Sequence, residues 1–160
     1  MNALDILKYG HQTVLQALNN LPKTDWDTGG VCGVWPVKDI MAHLASFECL
    51  LVDILGTFLD QPSTPYLDRY LEAGPMVFND TEVARRKEKT VAETLAEYND
   101  TQAKTMTLAA QIPVETWRQA GTLSWYGPEY ALDDFIVYSY YGHKREHSAQ
   151  IAVFRDQIGR

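Results

Sequence analysis

Apolar residues recur at steps of three and four in four stretches of the chain. In the first, Leu4, Leu7, Val14, Leu18 and Leu21 share one helical stripe with His11, and Pro22 ends it. The second opens with Pro36 at a first helical position and runs through Val37, Ile40, Leu44, Phe47, Leu51, Ile54 and Phe58 to Pro62. The third begins in "FNDTEVARR", where Asn79 can cap and Glu82 can reach back as in a capping box. Val83, Val91, Leu95, Tyr98, Gln102, Met106, Ala109 and Ile112 continue it until Pro113. The fourth starts near Ala131, with Asp133 and Asp134 where the helix dipole favours acid. Its stripe is Leu132, Phe135, Ile136, Tyr140, His143, His147, Ile151, Phe154 and Ile158.

Period-two alternation is scarce, and "TLSWYG" is the best strand candidate. Four amphipathic helices over residues 1–160 predict a single all-α domain, a four-helix bundle. The link over 60–78 holds Pro62, Pro65 and Pro75, and its length permits a crossover between helices two and three. The link over 113–130 carries Trp117, Trp125 and Tyr126, and long links in compact domains often carry function.

Charge narrows the partners. Fourteen basic against 21 acidic residues give a net charge of −7, which repels nucleic acid and anionic lipid. The densest basic run, "ARRKEK", reads as a solvated helix face. Cys32 and Cys49 read as free thiols in a reducing compartment. The N-terminus lacks the form of a secretory signal, and no apolar run approaches the roughly 18–20 residues of a membrane span. A cytoplasmic protein is the expectation.

The chemistry lies in the histidines. In "YYGHKREHSAQI", His143 and His147 stand about 400° of helical turn apart, so both project from one face. Two imidazoles on an apolar stripe are costly unless their nitrogens are satisfied, which a carbonyl, a wet edge or a metal could do. His43, in "WPVKDIMAHLASFE", flanks the buried seam of the second helix. Bundle cores are where facing helices build metal sites. Three imidazoles would leave a coordination position open, the pattern of a catalytic zinc site, and nickel, manganese or ferrous iron also accept nitrogen ligands. His11 is read as a satisfied core histidine and stays outside the ligand set. "HKREH" also fits the H-x-x-E-H pattern, in which Glu146 would serve as a base near a metal-bound water; a solvated carboxylate is the competing reading.

Together, Trp35, His43 and the pair His143 and His147 resemble the DinB-like superfamily of four-helix bundles. There a tryptophan precedes helix two, a histidine lies two turns into it, and the last helix carries H-x-x-x-H. Phe78 and Asn79 followed by "EVARR" resemble its DfsB-type branch. The specific motifs span about thirty residues. One departure is Pro36, where the superfamily usually has serine or threonine, which touches a cap and not the metal. The resemblance implies an up-down-down-up bundle and a divalent metal held by His43, His143 and His147. It also implies the activities known in the superfamily. These are thiol-dependent S-transfer with bacillithiol, mycothiol or glutathione, and maleylpyruvate isomerisation, although many members have no assigned activity.

On that reading a low-molecular-weight thiol, made a thiolate by the metal, attacks a small electrophile held under Trp35, Trp117, Trp125 and Tyr126. Hydrolysis by a metal-bound hydroxide would need the same ligands. The same aromatics could simply anchor their loops. The rival class is a non-catalytic bundle that binds or sequesters a small molecule, or one that forms a homodimer.

Overall fold

A computed structural model describes residues 2–159. Its helices, in chain order, are α1 (Ala3–Leu18), α2 (Val37–Thr57), α3 (Pro65–Ala73), α4 (Pro75–Arg85), α5 (Val91–Ala109), α6 (Val114–Trp117), α7 (Leu132–Phe135) and α8 (Gly142–Ile158). A π-helical segment, Ile136–Tyr141, joins α7 to α8. No strand forms among the described residues. The stretch 122–127, read above as a strand candidate, consists of bends and turns. The all-helical class follows from the periodicity. The helices gather into two compact units, residues 1–20 with 109–160, and residues 21–108.

In the first unit, α1 is capped by Asn2, whose Oδ1 accepts from the amides of Leu4 and Asp5 at 3.1 and 3.4 Å. That satisfies two of the donors a helix start leaves free. Leu7, Val14 and Ala17 are buried, and α1 packs along α8 and the π segment. Gly10 makes the closest approach. A Cβ there would stand 3.3 Å from the ring of Tyr141 and 3.4 Å from the Lys144 stem.

In the second unit α2 is buried along most of its length, and α3 and α4 pack against it. Helix α2 is long and apolar enough to cross a membrane by length and composition alone, which corrects the expectation that no segment is. Most of it is buried inside the protein, as the core helix of a globular fold is.

The predicted third helix does not start at Asn79. Pro75 opens α4 after Gly74, whose φ of +83° breaks the chain out of α3, so Asn79 lies inside α4. Helix α4 then ends at Arg85, and the capping box sits eleven residues on from the predicted one. The Thr90 amide donates to Glu93 Oε2 at 2.8 Å, and the Glu93 amide donates to Thr90 Oγ1 at 3.1 Å. The link over 60–78 is likewise mostly helix, because Pro65 opens α3.

Most of the basic run is exposed as expected, with Arg86 the exception. Arg86 is 4% exposed and Glu82 1%. Glu82 accepts from Arg86 Nη1 at 2.7 Å and from Arg69 Nε and Nη2 at 3.0 and 2.9 Å. Arg86 also donates to Glu97 at 2.7 Å and to the Tyr66 hydroxyl at 3.2 Å. Burial pushes the Glu82 carboxyl up, but the hydrogen bonds from Arg86 and Arg69 outweigh it and hold the group below the usual carboxylate range. Burial likewise disfavours the Arg86 charge, and Glu97 and Glu82 more than restore it. The network ties α3, α4 and α5 together with charges compensated in place.

Candidate metal centre

His43 is set by the loop ahead of its helix as much as by the helix. Residues 31–35 form a tight turn in which the amides of Val31 and Cys32 donate to Trp35 O at 3.0 and 3.2 Å, and the Trp35 amide donates back to Cys32 O at 2.9 Å. Gly33, at φ +58°, supplies the left-handed position that this turn needs. Trp35 is thereby laid against His43, with ring centroids 5.1 Å apart, while Phe47 meets the other side at 4.7 Å. His43 is buried between two aromatics one turn into α2 and beyond.

In α8 the two histidines face one another. Their Nε2 atoms are 2.9 Å apart, and His147 Nδ1 lies 2.8 Å from Gln150 Oε1. An amide oxygen only accepts, so Nδ1 carries the proton and His147 presents a bare Nε2. Burial, then the neighbouring His147 and Lys144, push the His143 imidazole down to about 3. Burial also lowers His147, against the opposing pull of Gln150 and Glu146. Both rings are therefore neutral at pH 7, the state in which imidazole binds a metal.

His43, His143 and His147 each offer one ring nitrogen, and these nitrogens all lie within 4.8 Å of one another, a grouping that could hold a metal ion. The donor set fits: nitrogens about 2.0–2.1 Å from a tetrahedral zinc stand roughly 3.3–3.4 Å from each other. The His143 and His147 pair lies a few tenths of an ångström inside that spacing, and separations that reach up to 4.8 Å within the group would have to close by as much as about 1.4 Å to meet it.

The other predicted residues divide. Glu146 is exposed on α8, and only its charge reaches His147. Trp125 and Tyr126 pack on Phe135 at 5.5 and 4.8 Å, and Tyr126 also meets Tyr130 at 5.2 Å, so they anchor their loop onto α7. Trp117 lines a cavity of about 610 Å³ together with Ala3, Leu4, Ile112, Val114 and Arg118. His11 lies partly buried on α1. Cys32 and Cys49 are free, and burial raises the Cys49 thiol. The sequence reading missed Gln150, although its place three residues after His147 puts it on the same face of the helix. It also missed Lys144, which is buried.

Over residues 7–134 the chain matches the family described as the mycothiol maleylpyruvate isomerase N-terminal domain. The matched span takes in Trp35 and His43 and stops short of His143 and His147. No curated protein and no solved structure matches the chain. With four-fifths of its residues under one family match, all its elements helical and its three histidines grouped, this chain belongs to the mycothiol maleylpyruvate isomerase N-terminal domain family, within the DinB-like superfamily.

Proposed function

We propose that this protein is a divalent-metal enzyme that joins a low-molecular-weight thiol to a small electrophilic molecule. The observation that carries the reading is the grouping of His43, His143 and His147, three ring-nitrogen donors that would leave a position for a fourth ligand. Zinc, nickel and manganese all suit such a donor set. Bound there, the ion would supply the charge that turns a coordinated thiol into its thiolate at neutral pH. The family description makes mycothiol the first thiol to try, ahead of bacillithiol and glutathione, and makes isomerisation through a thiol adduct one form the reaction could take.

The chain's own residues have definite tasks in this scheme. Trp35 and Phe47 bracket His43 and exclude water from its ring. Gln150 holds the His147 tautomer, as an outer partner of a metal-binding histidine commonly does. Of the predicted pocket aromatics, Trp125 and Tyr126 are committed to Phe135 and Trp117 lines the cavity beside α1, which leaves Trp35, against His43, to meet an apolar substrate. Glu146, exposed one position before His147, would serve at most as a proton acceptor through solvent. The setting is the cytoplasm and the partner a small molecule, without nucleic acid.

The test starts with metal content in protein purified without a histidine tag. Near-stoichiometric metal that is lost in His43→Ala and in His143→Ala supports the site. Consumption of mycothiol with a generic electrophile, abolished in both variants, supports the reaction. The commitment of Trp125 and Tyr126 to loop anchoring favours a second reading, a bundle that binds a small molecule without turning it over. Metal present with none of the three thiols consumed would select it.

A further inference from the structure

The π segment before α8 changes which residues the last helix buries. The Gly142 amide donates to Val137 O, five residues back, where an α-helix would use the residue four back. A ring closed in this way holds one residue more, so everything after it stands one position later relative to the face before it. The burial pattern records this shift. Ahead of the segment the buried residues are Ala131, Leu132, Phe135 and Ile136. Carried forward at 100° per residue, that face would next hold positions 139, 143, 146 and 150. The residues buried are instead Tyr140, Lys144, His147 and Ile151, each one later, with Ser148 beside His147.

The consequence falls on the candidate ligands. In an unbroken α-helix Glu146 and Gln150 would lie on the buried face and His147 at its margin. With the extra residue absorbed, His147 is buried, Glu146 is exposed, and His143 stands at the edge with its Nε2 turned to that of His147. Two contacts hold the register. Gly10 brings α1 against Tyr141 and Lys144, directly after the extra residue, at distances a larger side chain would crowd. On the other flank, Phe135 is clasped by Trp125 and Tyr126.

We propose that the π segment Ile136–Tyr141 is a positioning device for the metal site, its extra residue turning His147 inward and Glu146 outward. The idea rests on the three-histidine reading above. It concerns the number of residues in the segment and not their identity, and Tyr138, 62% exposed, is where number and identity can be separated.

Deleting Tyr138 closes the segment to α-helix, whereas Tyr138→Ala keeps the count. Cobalt(II) is the probe, its visible absorption reporting the ligand set and its titration the affinity. The expected result is a visible spectrum and affinity within about twofold of the unaltered protein for Tyr138→Ala, with affinity weakened roughly tenfold or more and an altered spectrum for the deletion. A deletion variant with the original spectrum and affinity overturns the proposal alone. An unaltered protein that takes up no cobalt overturns the metal reading beneath it. Should the deletion variant not fold, the unaltered protein decides by through-hydrogen-bond NMR couplings. Gly142 N correlated with the Val137 carbonyl supports the device, and correlated with that of Tyr138 overturns it.

Discussion

The Arg86 network and the pair His143 and His147 both bury polar nitrogen, and they do so in opposite ways. Around Arg86 every charge meets an opposite one. Glu82 pairs with Arg86 and Arg69, and Glu97 with Arg86 and Lys89. In α8 the nitrogens lose their charge instead. Burial lowers both imidazoles, and Gln150 satisfies one nitrogen while the two Nε2 atoms face each other. Charge compensated by charge gives a strut; two neutral imidazoles that share one proton give a socket for a cation once that proton moves. Buried polarity alone therefore does not mark a site, and the protonation state it settles into does.

That contrast can be broken at several points. Arg86→Ala should do most damage, about 3–5 kcal/mol of stability, because it leaves Glu82 buried with its main partner gone. Urea unfolding of the variant measures this, and a loss below about 1 kcal/mol would mean that the network is not the strut described. Acid should act next, and on the other region. The unfolded His143 titrates near 6.5 and the folded one at about 3, so between these values the unfolded chain binds the extra proton. Stability is then complete above about pH 6.5 and falls as pH drops toward 3, by on the order of 2 kcal/mol at pH 5 for this group. Unfolding midpoints of the metal-free protein at pH 7.5 and 5, compared with those of His143→Phe, isolate it; the variant should show the shallower fall.

Thr90→Ala should cost about 1 kcal/mol by removing the cap of α5. Its melting temperature reads the loss, and metal content should not change. The smallest effect is expected of Glu146→Gln. It touches neither region's packing, so stability should move by less than about 0.5 kcal/mol and stoichiometric metal should be retained. Metal lost in this variant would make Glu146 a ligand and overturn its placement outside the site.

How far the sequence was legible follows from the physics of each element. Helices α1 and α2 could be read within a few residues because apolar period, Pro22 and Pro36 agree. The start of α5 could not, because two capping signals compete: Asn79 with Glu82, and Thr90 with Glu93. Arg86, four residues on, and Arg69 from α3 claimed Glu82, and the box that formed is the second one. The histidine grouping was readable from spacing and resemblance. The inward stripe through Tyr140, His147 and Ile151 was readable too, and all three are buried; what periodicity could not show is the extra residue in 136–141 on which that stripe depends. The packing of Trp125 and Tyr126 on Phe135, ten and nine residues on, is a choice that composition leaves open.

The Gln150 contact has one more consequence. It fixes the proton of His147 on Nδ1, so at the 2.9 Å meeting of the two rings the shared hydrogen belongs to His143 Nε2. Before His143 can offer a lone pair there, that hydrogen must cross to the ring's other nitrogen. Loading above pH 6.5 then exchanges one tautomer for another and releases no net acid, which would make uptake insensitive to buffer pH.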